Sequence, residues 1–299
     1  MSATAAPDTT TALTGRSPAG AGRADQQQGG RRALLPAVIL LIAAIWTIVP
    51  LGWMLLSSFK DQASITASSP QVLFTPTLQN YANLVADGVG WNLLNSVIAA
   101  LGSTIVSLVL GTAAGYGLAR TTMKRKDDLS FWVISVRMAP IAAVVLPLFL
   151  MFSAVDLVNT LPGVIIAYTT FNLPFCIWLT SAFFADIPPA LEEAAANCGA
   201  TPWQTFWKVS LPMVRSGLVT AGVLCLVFSW NDYAFATVLT GPDTQTLPIA
   251  ASQLVTSTGI DWGRMTSIGV VVVVPMFIAG LAVKRWLVTG LTLGAVTGE

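Results

Sequence analysis

The strongest constraint on this chain is a series of apolar runs, each roughly 20 residues long, which is what a helix needs to cross ~30 Å of hydrocarbon. The first is Ala33–Leu56. Others lie at about Leu94–Ala119, Leu129–Phe152, Leu161–Phe184, Val214–Leu239 and Met265–Leu287. Inside a bilayer each backbone N–H and C=O must find a partner within the protein, so such runs fold as helices. Composition points the same way. Of 299 residues, 54% are hydrophobic and 10% charged, against about 25% charged in soluble proteins. The sequence predicts an all-α polytopic membrane protein with six transmembrane helices.

Residues 1–32 are mostly Ala, Thr, Gly, Pro, Ser and Gln. They bury too little apolar surface to fold, which predicts a disordered tail. Arg31 and Arg32 precede Ala33–Leu56 in the charge order of a signal peptide. That run is too long, and no small-residue cleavage pattern follows, so it is expected to remain as the first membrane helix. Residues 33–299 then form one transmembrane domain, with residues 288–299 as its C-terminal tail.

Lys and Arg accumulate on the cytoplasmic side of membrane proteins. Arg31, Arg32, Arg120, Lys124, Arg125, Lys126, Lys208, Arg215, Lys284 and Arg285 flank the spans on one side, and Lys60 and Arg264 on the other. Both termini are therefore expected in the cytoplasm, together with the loop 187–212.

Gly111 and Gly115 form a GxxxG pair and share a small-residue face with Gly102, Ala114 and Gly117. Such a face lets another helix approach closely, and packing within one subunit is the expectation over dimerisation. Pro50, Pro140, Pro147, Pro174 and Pro275 fall within spans. Each removes a backbone hydrogen bond and favours a kink, which suits a transporter with a cavity better than a rigid anchor.

Two charges lie inside spans, Arg137 in the third and Asp232 in the fifth. A charge at mid-bilayer costs at least ~2.5 kcal/mol on insertion scales. The two either pair with each other or line a polar path; a packing salt bridge and a snorkelling charge are the structural alternatives. Trp230, Asn231, Asp232 and Tyr233 combine donors, acceptors and rings, which suits a polyhydroxylated ligand. Asn172, beside Pro174, is a further substrate-path candidate. Trp and Tyr also simply anchor helices at interfaces.

The sequence has no His, and Cys176, Cys198 and Cys225 lack metal-ligand spacing. No GxxxxGK[ST] phosphate loop occurs, which excludes ATP hydrolysis by that mechanism. No catalytic residue, bound metal or cofactor is expected. An ion-coupled carrier needs a relay of embedded acids and bases, and Asp232 is the one embedded acid.

The loop 187–212 reads IPPALEEAAANCGATPWQTFWKVSLP. Pro188 and Pro189 suit a first helical turn, and Glu192 and Glu193 suit its dipole. Ala190 and Ala194–Ala196 favour a slim helix, with Gly199 as its left-handed terminator. Thr201 and Pro202 then open a second helix, whose Trp203, Phe206 and Trp207 share one face. Two short helices in a bent arrangement are predicted, one slim enough for a groove and one aromatic.

Glu193-Ala194-Ala195, Gly199, Val209, Leu211 and Pro212 resemble the EAA loop of bacterial ABC importer permeases. SWND in the fifth span and the tail WLVTGLTLGAVTG extend the resemblance over about residues 33–299, to the maltose-type (MalG-like) carbohydrate permeases. Cys198 stands where the family usually has Asp, and Ser216 where it often has Pro.

The resemblance implies a type I ABC importer permease fold and a permease subunit that moves a sugar or sugar alcohol by alternating access. It implies that the loop docks in a cleft of a cytoplasmic ATP-binding subunit, with Glu193 at the contact and Gly199 at the bend. A dimer of such subunits would hold ATP and Mg. Further implied partners are a second homologous permease and an extracytoplasmic solute-binding protein facing residues 240–264. The tail Gly290–Gly298 would reach the ATPase dimer interface. A permease for glycerol phosphate or another small polar solute is the alternative within the class.

Overall fold

The computed structural model describes residues 22–257 and 259–293, those at 22–35 and 285–293 by backbone alone. Residues 1–21 and 294–299, which hold most of the expected N-terminal tail and the end of the C-terminal one, lie outside the described residues. The chain divides into two compact units, Met1–Trp53 and Met54–Glu299.

The first unit contributes most of helix α1 (Gly22–Ser57), which begins upstream of the expected boundary at Ala33. Its large apolar side chains, Leu40, Ile45 and Trp46 among them, are exposed. They form no core of their own, as expected of a helix that meets lipid.

The second unit continues with α2 (Gln62–Ile65), α3 (Gln79–Ala86), α4 (Val89–Arg120), α5 (Lys126–Ser135), α6 (Ile141–Ser153) and α7 (Leu161–Ala185). Then come α8 (Pro189–Asn197), α9 (Pro202–Thr205), α10 (Leu211–Met213), α11 (Arg215–Trp230), α12 (Ala234–Leu239) and α13 (Leu247–Ser252). A small antiparallel hairpin, β1 (Val255–Thr256) with β2 (Gly259–Ile260), pairs Val255 with Ile260, and α14 (Trp262–Leu293) closes the chain. The expected sixth helix, Met265–Leu287, thus extends at both ends.

Four described helices are long and apolar enough to cross a membrane: Pro36–Ser57, Val89–Arg120, Leu161–Ala185 and Trp262–Lys284. Two bent pairs raise the number to six if each is one span. In the first pair, residues 126–138 and 141–153 meet at 87°. The expected continuous helix Leu129–Phe152 is therefore broken. Pro140 lacks an N–H and excludes the helical region for the residue before it, and Ala139 is accordingly extended at ψ 132°. In the second pair, residues 202–213 and 215–230 meet at 74°. The expected helix Val214–Leu239 also ends early, at Trp230, and restarts as α12 after Asn231–Tyr233.

The tightest crossing joins α4 to α7. A Cβ at Gly111 would strike Cys176, and one at Gly115 would overlap Thr180 and approach the α7 backbone. The missing side chains let the helices touch, and Thr180 Oγ1 uses the closeness, donating to the carbonyls of Cys176 (2.7 Å) and Gly111 (3.0 Å). GxxxG here packs two helices of one subunit.

Apolar clusters fill the remaining space. Trp230, Leu247, Ala100 and Ile268 join α4, α11, α13 and α14. Val164, Tyr168, Phe235 and Leu239 join α7 to α12. Phe184, Ile187, Phe206 and Val214 form a separate cluster that joins the loop 187–212 to the helices flanking it.

Candidate functional site

The loop 187–212 folds locally as its residues dictate. Pro188 caps α8 and Pro189 starts it. After Cys198, Gly199 takes φ +84°, a left-handed conformation that glycine adopts without strain. The N–H of Gly199 bonds to Ala196 O (2.9 Å) and that of Ala200 to Ala195 O (3.0 Å), the paired closure of a Schellman motif. Cys198 fills the capping position through its backbone, bonding Ala194 O at 3.1 Å, and its side chain is exposed. Thr201 then caps α9 in a reciprocal box with Gln204.

The two acids of α8 face opposite ways. Glu193 is exposed, as are Ala190, Ala194 and Ala196, while Ala195 is half-buried. Glu192 turns inward. Arg120, at the C-terminus of α4, grips its carboxylate with two parallel bonds of 2.9 Å, from Nε to Oε2 and from Nη2 to Oε1. The same Nη2 donates to Ile187 O (3.2 Å), so one guanidinium holds both the entry of the loop and its first helix. Ser210 Oγ donates to Oε1 (2.6 Å) and Tyr116 OH to Oε2 (3.3 Å). Forked arginine–carboxylate pairs combine strength with a fixed orientation. Glu192, expected among the ATPase-coupling residues, is thus engaged inside its own chain, and Glu193 presents an exposed carboxylate with no ion pair among the described residues.

Burial alone would raise the Glu192 pKa. The bonds from Arg120 and Ser210, the Arg120 charge and the Tyr116 hydroxyl outweigh it, and the net shift is downward. A depressed carboxylate stabilises the fold above its unfolded pKa, and this contribution disappears as pH falls through the folded value. Protection of the α8 amides, measured against the intrinsic exchange rate at each pH, should therefore be high at neutral pH and fall on acidification below the ordinary carboxylate range. Glu192→Gln should exchange faster at neutral pH and lose that acid transition. An unchanged pH profile in Glu192→Gln would remove Glu192 as its source.

The expected aromatic face is split. Residues Phe206–Ser210 form a π-turn instead of continuing the α-helix, a local widening that re-aims side chains. Phe206 is buried against Tyr116 and Phe184, with ring centroids 4.9 and 6.2 Å away. Trp203 and Trp207 remain exposed and stack edge to face at 5.5 Å. Leu211 packs on the Phe206 cluster, and Pro212 lies in the short α10.

A second site lies within the bundle. Arg137, Asn172, Asn231, Asp232 and Tyr233 line one cavity of about 370 Å³ with Tyr168, Phe171, Phe228, Ser229 and Phe235. That volume suits a small ligand, for which pockets run from about 300 to 1,000 Å³. Two of the breaks in the bundle serve it. The turn Val136–Met138 delivers Arg137, and the gap between α11 and α12 delivers Asn231–Tyr233.

Arg137 and Asp232 do not pair: among the described residues no ion pair joins them. The Arg137 guanidinium lies 4.0 Å from the Phe228 ring centroid and 4.9 Å from that of Phe175, a cation–π arrangement. Asp232 Oδ1 accepts from the N–H groups of Phe235 (3.1 Å) and Ala236 (3.4 Å), capping α12. Asn172 Nδ2 donates to Ser229 Oγ (2.7 Å), which is 2.8 Å from Ser103 Oγ, tying α7, α11 and α4 together at the cavity wall. Trp230 does not line the cavity. It is buried against α14, where Nε1 donates to Val272 O at 3.2 Å. The rings that face the cavity are those of Tyr168, Phe171, Phe228, Tyr233 and Phe235. In the sequence Tyr168 and Phe171 are simply part of an apolar run.

The chain thus combines a helical bundle with broken spans, a mainly apolar cavity carrying Arg137, Asn172, Asn231 and Asp232, and a capped two-helix loop. Residues 107–292 match the family described as binding-protein-dependent transport system inner membrane component, and the chain belongs to that family. The trehalose transport system permease protein SugB of Mycobacterium tuberculosis is 35% identical over 90% of this chain and 100% of its own length. The diacetylchitobiose uptake system permease protein NgcG of Streptomyces coelicolor is 31% identical over 88% of each chain. Among solved structures, a bacterial ABC transporter involved in the import of the acidic polysaccharide alginate superposes with a TM-score of 0.71 at 22% identity, over 89% of this chain and 98% of that one.

Proposed function

We propose that this chain is a permease subunit of an ATP-driven importer for a sugar or sugar alcohol, crossing the membrane six times with both termini in the cytoplasm. Each bent pair then counts as one span. The loop 187–212 docks on a cytoplasmic ATP-binding subunit, one of a dimer that holds ATP and Mg. A second homologous permease completes the channel, and a solute-binding protein approaches residues 240–264 from outside. Glu193, Ala194 and Gly199 make or shape the docking surface, and Leu211 and Pro212 seat its exit.

The observation that carries this reading is the two-faced α8. One face is locked to the bundle through Glu192, and the other offers Glu193 on a slim alanine surface. A helix of that kind fits a groove without side-chain obstruction. The relatives named above supply the substrate class: trehalose and diacetylchitobiose are both sugars. A cavity lined by Asn172, Asn231, Asp232 and five aromatic rings suits hydroxyl groups on a carbon ring.

The test is reconstitution in proteoliposomes with the ATPase subunits, partner permease and binding protein. Uptake of a labelled disaccharide or polyol should require internal ATP and the binding protein. Uptake driven by an ion gradient without ATP would replace this reading with a secondary carrier. Uptake confined to a phosphorylated or other small anionic solute would overturn the substrate class alone.

A further inference from the structure

We infer that α4 is the strut through which movement of the cytoplasmic docking loop reaches the outer loop, with Arg120 as its inner tie and Asn95 as its outer one. The inference rests on the functional reading above, which assigns those two loops their partners.

At its inner end α4 is fastened to the docking loop by the Arg120 fork on Glu192 and the bond to Ile187 O. At its other end it holds the segment between α12 and α13. Asn95 Nδ2 donates to the backbone carbonyls of Asp243 and Gln245, both at 3.0 Å. Asn92 Nδ2 adds a bond to Gln245 O (3.2 Å), and Ser96 Oγ accepts from Leu247 N (2.8 Å) at the start of α13. Asn95 and Ser96 are buried, so releasing these bonds would strand polar groups away from water. Because they grip backbone, they fix the position of the loop whatever its side chains.

Between the ties α4 is one continuous helix without proline, whereas the third and fifth spans are broken. Asn95 and Arg120 lie about 37 Å apart along it, at a rise of ~1.5 Å per residue. About a third of the way from Asn95 to Arg120, Ser103 joins the Ser229–Asn172 pair at the cavity wall. A rod fixed at both ends and bonded in between to Ser229, which lines the cavity, cannot shift at one end without loading the other. Coupling of this kind is reciprocal, so a loaded binding protein at the outer loop would reset the docking loop by the same path.

The experiment uses the reconstituted complex and reads how many fold the solute-loaded binding protein stimulates ATP hydrolysis, with co-purification of the ATPase subunits measured in parallel. Arg120→Lys keeps the charge but cannot form the fork, and Asn95→Ala removes two of the four outer bonds, those that reach both Asp243 and Gln245, without touching the docking loop. Each should lower the stimulation roughly tenfold. The double variant should fall no further than the worse single one, because both lie on one path. If Arg120→Lys does not assemble, Glu192→Gln takes its place in the same cycle. Unchanged stimulation in Asn95→Ala with ATPase subunits bound would overturn the strut alone, as would losses that multiply in the double variant. A wild-type chain that recruits no ATPase subunit would instead overturn the functional reading beneath it.

Discussion

Glu193→Lys should abolish solute-dependent ATP hydrolysis by the assembled importer, while the chain still inserts and folds. The position is exposed and makes no bond within α8's own anchor, which runs through Glu192. Surface substitutions of this kind usually alter stability by no more than about 0.5 kcal/mol. The effect falls on the partner. If Glu193 docks beside a cation, reversing its charge places like charges together, which costs several kcal/mol, so docking should weaken by well over tenfold, since ~1.4 kcal/mol is a factor of ten. Co-purification and solute-stimulated hydrolysis, measured together, separate weak docking from misfolding. Normal stimulation in Glu193→Lys would sink the docking role. Glu192→Lys is expected to behave differently, because it places a cation against Arg120 and unfastens α8 from α4.

Asp232→Asn should reduce uptake roughly tenfold and leave assembly intact, the scale expected when a charged group that orients a bound ligand is neutralised. The substitution is chosen for what it preserves. Asp232 Oδ1 caps α12 through Phe235 and Ala236, and Asn caps a helix about as well as Asp. The cap should survive and the negative charge in the cavity should not. Asp232→Ala should lose the cap as well, at a further ~1 kcal/mol of local stability. Equal uptake in wild type and Asp232→Asn would reduce the residue to a helix cap, with no part in the solute path.

Much of the fold was legible because its governing forces are local. Twenty-residue apolar runs must be helices in a bilayer. The expected second, fourth and sixth spans match α4, α7 and α14 to within six residues at each end, whereas the first shares the end of α1 but starts eleven residues after it. The two misplaced spans fail for readable reasons. From sequence Pro140 predicts a kink, and in the structure it is a break. Asn231–Tyr233 reads as a polar patch on a helix, and it is where the helix stops and Asp232 caps the next one. Trp230 belongs with its polar neighbours by sequence, yet its indole reaches a carbonyl of α14 on the other side.

The sequence by itself determined the class of protein, the caps and turn of the loop 187–212, and the polar residues worth watching. Each depends on composition or on residues a few positions apart. Only the tertiary structure decided which acid of Glu192-Glu193 is fastened and which is exposed. It alone brought Arg137 and Asp232 to one cavity without pairing them, and set Asn95 under Asp243 and Gln245. Such contacts join residues 70 to 150 positions apart, and they depend on which faces of α4, α7 and α11 meet. Helical periodicity fixes that a face exists; close packing at Gly111 and Gly115 fixes which neighbour it finds.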